Sequence, residues 1–306
     1  MNRIIKNGYE ISEMTLGTVQ LGMNYGINNK DGKPSSDIAD EILKTAEKYG
    51  ITSFDTAAAY GDSENVLGRY FSKDKKSVSI VTKVHFGDIS ENRLFDTLVE
   101  SVKKSSENLR LNKIPFLMLH NESYLVKYGS SIISALGKLK KEGFVDNIGV
   151  SFSDKTRLLD LCDTEVFDCI QLPLNMFDNK ELCSGAVKKI SDCGVAVFVR
   201  SIYLQGLFFI DPQHLPEKLI SAREPLMKLR SLAENIGTDI SELALSFIRS
   251  SNGINSVVLG CETPQQVEQN AMLFEKGELS KIVIEKIVEI SEAVEPIIIR
   301  PWEWKL

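Results

Sequence analysis

Short apolar runs alternate with longer amphipathic stretches eight times along this chain, and that rhythm restricts its fold more than any other feature. The runs are Met14–Thr18, Thr52–Phe54, Val78–Thr82, Phe116–Leu119, Val145–Val150, Cys169–Leu172, Val195–Val199 and Ser256–Leu259. Each has strand length and a largely apolar surface, as a strand buried on both faces requires. Helical spacing fills the intervals. Ile38, Ile42, Leu43 and Ala46 recur at three and four, as do Leu94, Leu98, Val102 and Leu109. Ile132, Ile133, Leu136 and Leu139 lead into Lys140-Lys141-Glu142-Gly143, a basic last turn with a glycine stop. Ser153-Asp154 and Thr263-Pro264 read as helix starts.

Eight strands alternating with helices favour a closed (β/α)8 TIM barrel over an open doubly wound sheet. The nine prolines do not cluster and no linker interrupts the pattern, so residues 1–306 read as one domain. The first glycine-rich turn, Gly17 to Gly22, lacks the GxGxxG spacing of an open dinucleotide-binding sheet. Leu226, Leu229, Leu232 and Ile236, then Leu243, Ala244, Phe247 and Ile248, predict an extra helix before strand eight. Ile282, Ile287 and Ile290 predict a C-terminal helix, followed by a tail holding Trp302 and Trp304.

Lysine and arginine total 36 against 42 aspartates and glutamates, for a net charge of −6. Nucleic acid and anionic membranes demand a basic face, so neither is expected as a partner. No run approaches a membrane span and the N-terminus carries no apolar signal segment. Five dispersed cysteines without CxxC spacing read as reduced thiols, with no metal site; a cytoplasmic location is the expectation.

In a barrel of this kind chemistry sits where the strands end. Asp55, Lys83 and His120 stand at three successive exits, followed by Ser151, Gln171 with Asn175, Arg200 with Ser201, and Gly260. Tyr60 follows Asp55 by five residues, across three alanines that permit a tight loop. A phenol is a weak acid, with a pKa of about 10. A neighbouring ammonium stabilises its anion, and an aspartate keeps that ammonium charged. A neutral histidine can donate to a carbonyl oxygen. Together these supply a proton where negative charge develops during hydride reduction. Taken singly, each residue has a plainer reading: Asp55 as a turn residue, Lys83 as a surface lysine, His120 and Tyr60 as packing. Schiff-base chemistry on Lys83 is a competing reading, opposed by Asp55.

These residues resemble the aldo-keto reductase family, in its bacterial branch. The similarity runs through Leu16-Gly17-Thr18-Val19-Gln20-Leu21-Gly22, Phe54-Asp55-Thr56-Ala57, Tyr60-Gly61, Val81-Thr82-Lys83-Val84 and Leu119-His120. It continues through Ile148-Gly149-Val150-Ser151, Gln171-Leu172-Pro173-Leu174-Asn175 and Val258-Leu259-Gly260 to Asn270. The resemblance implies an NAD(P)H-dependent enzyme that reduces an aldehyde or ketone; the opening motif and Val199-Arg200-Ser201 resemble bacterial members often associated with surface-sugar synthesis, so a sugar-derived carbonyl is one expectation. It implies catalytic roles for Asp55, Tyr60, Lys83 and His120. Ser151 and Gln171 would hold the nicotinamide carboxamide, with Gly17 and Thr18 beside it. Gly260, Cys261, Thr263, Gln266, Gln269 and Asn270 would line the adenosine end, and Arg200 with Ser201 the cofactor, Arg200 binding either its pyrophosphate or an anionic substrate.

The chain departs from the family pattern in places. Phe152 replaces a common asparagine, and Arg200 stands where many members stack a tyrosine on the nicotinamide. Gly260-Cys261 and Gln266 replace the Lys-Ser and Arg that grip the 2′-phosphate in animal members, removing a bidentate partner. NADPH is the expected cofactor, with NADH as the alternative; Arg223 and Arg230 are candidate replacement charges. Phe86, Tyr25, Trp302 and Trp304 are candidate pocket walls. The same barrel also serves some relatives as a cofactor-binding regulatory subunit, a reading the intact four-residue set opposes.

Overall fold

The computed structural model describes residues 1–27, 29, 31–73, 78–163 and 166–304. Eight parallel strands close into a barrel: β3 (Met14–Gly17), β4 (Ser53–Asp55), β5 (Ser79–Val84), β6 (Ile114–Leu119), β7 (Val145–Ser151), β8 (Cys169–Pro173), β9 (Ala196–Arg200) and β10 (Ser256–Gly260). The closing pair sets Gly260 beside Gly17, and the next sets Gly17 beside Asp55. Each of the eight expected runs is a strand, displaced by no more than two residues at either end.

A feature absent from the sequence reading precedes the barrel. Strands β1 (Arg3–Lys6) and β2 (Tyr9–Ser12) form an antiparallel hairpin that covers the end where the strands begin. Ile11 is fully buried in the barrel interior with Val81, Phe116, Met118, Cys169, Ala196 and Phe198. The carbonyl of Glu10 accepts from the hydroxyls of Thr52 (3.0 Å) and Ser79 (2.7 Å). Beneath it, Thr15 shares its hydroxyl with Ser53 (2.7 Å) and Ser256 (2.6 Å), and Ser256 donates to the Ser12 carbonyl (2.7 Å). The five hydroxyls of Thr15, Thr52, Ser53, Ser79 and Ser256 are therefore all bonded, which offsets the desolvation cost of burying them.

Around the barrel lie α1 (Val19–Gly22), α2 (Ser36–Lys48), α3 (Ser63–Phe71), α4 (Leu94–Leu109), α5 (Ser123–Lys141), α6 (Lys180–Cys183), α7 (Ala186–Asp192), α8 (Arg223–Asn235), α9 (Ile240–Arg249), α10 (Pro264–Leu273) and α11 (Lys281–Ser291). Their inward stripes, such as Leu94, Leu98, Val102 and Leu109 on α4, join one apolar shell outside the strands. Several starts are closed by side-chain caps: Ser35 on α2, Asp239 on α9, Thr263 on α10 and Ser280 on α11. The expected extra helix before the last strand is α8, and the C-terminal helix is α11.

One expected helix start is not realised. After β7 the carboxylate of Glu122 accepts from the backbone N–H groups of Ser153 and Asp154, both at 2.9 Å. Asp154 itself caps a tight turn at Thr156 (2.9 Å). The chain turns there, and only a 3-10 segment, Leu158–Asp163, precedes β8. Among the described residues no helix is long and apolar enough to cross a membrane.

Candidate active site

The opposite end of the barrel is open. Asp55 closes β4 and Lys83 lies one residue before the end of β5, so both side chains meet above the interior. Lys83 is fully buried and Asp55 is 4% exposed. The ammonium donates to Asp55 Oδ1 (2.6 Å) and to the Thr56 carbonyl (2.9 Å). Burying one ion without the other would cost several kcal/mol, so each fixes its partner's position and charge. Gln171 Nε2 donates to the same Asp55 oxygen (2.7 Å), and Ser151 Oγ reaches Gln171 Oε1 at 3.5 Å. Four strand ends, β4, β5, β7 and β8, are thus tied through one carboxylate.

The loop carrying Tyr60 is held by its backbone. Thr56 N–H donates to Val81 O (2.8 Å), Ala58 N–H to Lys83 O (3.1 Å), and Ser63 N–H to Tyr60 O (3.1 Å). Two glycines allow α1 to press on this loop. A side chain at Gly22 would collide with the Tyr60 carbonyl, and one at Gly61, whose φ is +55°, with the Gly22 carbonyl. The loop consequently leans inward. Lys83 Nζ lies 5.1 Å from the centroid of the Tyr60 ring, and the ring meets His120 edge-on at 5.6 Å. Lys83 spends two of its three N–H groups on Asp55 and Thr56; no hydrogen bond to the Tyr60 hydroxyl forms among the described residues.

His120 follows β6 directly, with its N–H bonded to Val84 O (3.0 Å). Burial, reinforced by the charges of Lys83, His85 and Arg200, pushes its pKa down to about 3. The imidazole is neutral at physiological pH. The four residues expected to work together are therefore gathered at one mouth.

Beside them, Arg200 ends β9. Its guanidinium donates to Phe152 O (3.0 Å), Ser153 Oγ (3.4 Å) and Ser201 Oγ (3.2 Å), and it forms no ion pair among the described residues. Asp178, whose carboxyl feels the Arg200 charge, is bonded to Lys155 at 2.6 Å. The backbone then takes left-handed turns at Ser201 (φ +63°), Leu204 (+49°), Gln205 (+52°) and Gly206 (+95°). Such strain at non-glycine residues costs about 1–3 kcal/mol apiece and persists where surrounding structure enforces it. A cavity of about 170 Å³ opens here, lined by Ser153, Asn175, Arg200, Ser201, Gln205 and Trp302 among others. The two tail tryptophans divide: Trp302 is 54% exposed at the cavity, whereas Trp304 is buried and donates Nε1 to Ile297 O (2.9 Å). Tyr25 also reaches the mouth, where Tyr60 and Arg200 both act on its hydroxyl. Phe86, by contrast, is buried against Tyr124.

A second group gathers where β10 runs into α10. Gly260 is exposed; Cys261 is buried, and burial pushes its thiol up to about 12. Thr263 caps α10 by accepting from Gln266 N–H (3.2 Å), and Gln266 Oε1 accepts from Glu262 N–H (2.7 Å). Asn270 bonds Cys261 Sγ (3.4 Å) and Tyr203 (3.3 Å), while Gln269 is exposed. Gly17 and Thr18 join the two groups, but Thr18 is fully buried and its hydroxyl donates to Asp55 O (2.8 Å). Arg223 and Arg230 are committed elsewhere: Arg223 donates to Pro212 O (2.9 Å), and Arg230 to Phe208 O (3.2 Å) and Ile210 O (2.9 Å).

One residue escaped the sequence reading. Gln20 is nine-tenths buried, its Oε1 has no hydrogen-bond partner among the described residues, and a side chain at Gly260 would collide with its amide. An unmatched buried acceptor costs about 1–3 kcal/mol, so it marks a place where a donor is wanted.

A model of the aldo/keto reductase family matches residues 13–292. The chain is 27% identical over 309 residues to the L-galactose dehydrogenase of Arabidopsis thaliana, covering 95% of this chain and 92% of that protein. It is 25% identical over 293 residues to the NADH-specific methylglyoxal reductase of Escherichia coli strain K12, covering 85% and 89%. Among solved structures, the holo form of aldo-keto reductase AKR11C1 from Bacillus halodurans superposes with a TM-score of 0.78 at 21% identity, covering 98% and 99%.

Proposed function

The chain belongs to the aldo/keto reductase family and is an oxidoreductase, and on that premise we propose that it reduces the carbonyl of a small polyhydroxylated substrate, with Tyr60 as the proton donor. The observation that carries this reading is the buried Lys83–Asp55 pair under the Tyr60 ring, beside a neutral His120. Lys83 stabilises the charge left on the phenol as its proton moves to the substrate oxygen. His120, neutral and able to donate, directs that oxygen toward Tyr60. Asp55 keeps Lys83 charged, which also weighs against a Schiff base there.

The residues at the mouth fit a nicotinamide nucleotide. Gln20 offers an unmatched acceptor beside the bare backbone of Gly260. Arg200 offers a cation without an ion-pair partner among the described residues, next to a run of left-handed backbone suited to a phosphate. When bound, such a nucleotide supplies the hydride. Ser151 and Gln171 would hold its carboxamide near Gly17 and Thr18, Arg200 and Ser201 its phosphates, and Gly260, Cys261, Thr263, Gln266, Gln269, Asn270 and Gln20 its adenosine half.

The charge around α10 favours NADH over NADPH. Glu262 stands at that end, bonded through Gln266 and within electrostatic range of Asp31. A carboxylate accepts from a ribose hydroxyl but repels a 2′-phosphate. On the substrate side, the exposed face of Trp302 and the polar groups of Asn175 and Ser153 suit a hydroxylated chain or ring.

Tyr60→Phe should lower kcat/KM for carbonyl reduction by about 10²–10⁴-fold while nucleotide affinity stays within about twofold. Turnover at the wild-type level would remove Tyr60 from the chemistry. Titration by intrinsic fluorescence should show NADH binding more tightly than NADPH, and Gln266→Arg should shift that ratio toward NADPH. An unchanged ratio would place the 2′-phosphate elsewhere.

A further inference from the structure

Five cysteines scattered through the sequence give no sign of pairing, yet the fold brings two of them together. Cys162, at the end of the 3-10 segment before β8, and Cys193, just after α7 and before β9, are 31 residues apart. Their sulfur atoms lie 2.8 Å apart. That is closer than two sulfurs rest in ordinary contact and about 0.8 Å from a disulfide bond length.

Their surroundings separate them from the other cysteines. Cys193 is exposed and Cys162 partly so, whereas Cys169 and Cys261 are fully buried. Burial raises both inner thiols, and an apolar setting keeps such thiols unreactive. Cys183 is exposed, but its sulfur is directed at Asn179 Oδ1 (3.3 Å). The Lys6 ammonium donates to the carbonyl of Gly194, the residue after Cys193, at 2.6 Å. A thiolate is the form that attacks a disulfide, and access decides which cysteines can do so.

We propose that Cys162 and Cys193 form a reversible dithiol–disulfide site on the closed end of the barrel, with low-molecular-weight disulfides such as oxidised glutathione as its reagent. One thiolate attacks the reagent, forming a mixed disulfide and expelling one small thiol. The second thiolate then attacks the protein sulfur of that mixed disulfide and expels the other. Two protein thiols are oxidised to one S–S bond, the reagent is reduced to two thiols, and the two protons leave with them. The new bond ties the entry of β8 to the entry of β9. It closes a loop that contains Gln171, and it lies at the far end of the strands from Tyr60.

The test uses the whole protein, reduced and then incubated with oxidised glutathione. After alkylation and tryptic digestion, residues 158–180 and 190–200 should be recovered as one linked species. Fragmentation should place the bond at Cys162 and Cys193, and dithiothreitol should release it. The oxidised protein should unfold at a temperature several degrees higher than the reduced protein, because the cross-link restricts the unfolded chain. Cys193→Ser should lose both the link and the shift, and Cys183→Ser should keep both. A stable glutathione adduct on Cys193 with Cys162 still alkylatable would overturn the proposal. So would a link through Cys183, or full alkylation of both cysteines after oxidation.

Discussion

His120 is largely buried beside Lys83, His85 and Arg200, and burial first, then those charges, lowers its affinity for a proton. An unfolded histidine titrates near 6.5, whereas this one titrates near 3 in the fold. The unfolded chain therefore holds the extra proton between those values. The stability contributed by a neutral His120 is complete above about pH 6.5 and drains away as pH falls toward 3, by up to about 1.4 kcal/mol per pH unit. Urea unfolding of wild type and His120→Gln across that range should show the steeper acid loss in the wild type; parallel curves would mean that His120 is charged in the fold. That Asp55, Lys83, Tyr60 and His120 meet at one mouth was legible from their positions at or beyond strand ends. The position of Gln20 was not, because nothing in a lone glutamine announces that its amide oxygen will be buried without a partner among the described residues.

Strand β4, helix α1 and the Tyr60 loop act as a unit whose fit depends on two missing side chains. Gly22→Ala drives a methyl into the Tyr60 carbonyl, a backbone atom with nowhere to retreat. The loop must move, so carbonyl reduction should fall by at least about tenfold, since small displacements of reacting groups are costly. Gly260→Ala meets only the tip of Gln20, a flexible side chain that can swing away. That variant should fold normally and bind nucleotide more weakly, and calorimetric titration with thermal melting separates the two cases. The strands were legible because burial on both faces leaves continuous apolar runs. The helix expected at Ser153 was not formed, since its start signal is answered from outside by Glu122. A capping signature reports which N–H groups need partners, not which residue supplies them.

At the scale of the whole molecule, the N-terminal hairpin was the largest element missed. Its signal was present but short: Asn7-Gly8, both at positive φ, joins Lys6 to Tyr9 in a two-residue turn between strands of only four residues. Its contribution is measurable through Ile11, fully buried against Phe116 and Phe198 among others. Ile11→Ala should lower unfolding free energy by about 2–5 kcal/mol with little change in kcat, because the cavity it leaves is at the end remote from Tyr60. A loss of turnover in protein that remains folded would show that the two ends are coupled.

That hairpin puts a floor under the site. Ile11, Phe116, Met118 and Phe198 fill the interior beneath it, so a barrel stoppered at its centre offers its chemistry on a rim and not along a bore. A molecule that reaches Tyr60 on the proposed reading does so across that rim, where Trp302 and Arg200 line the cavity.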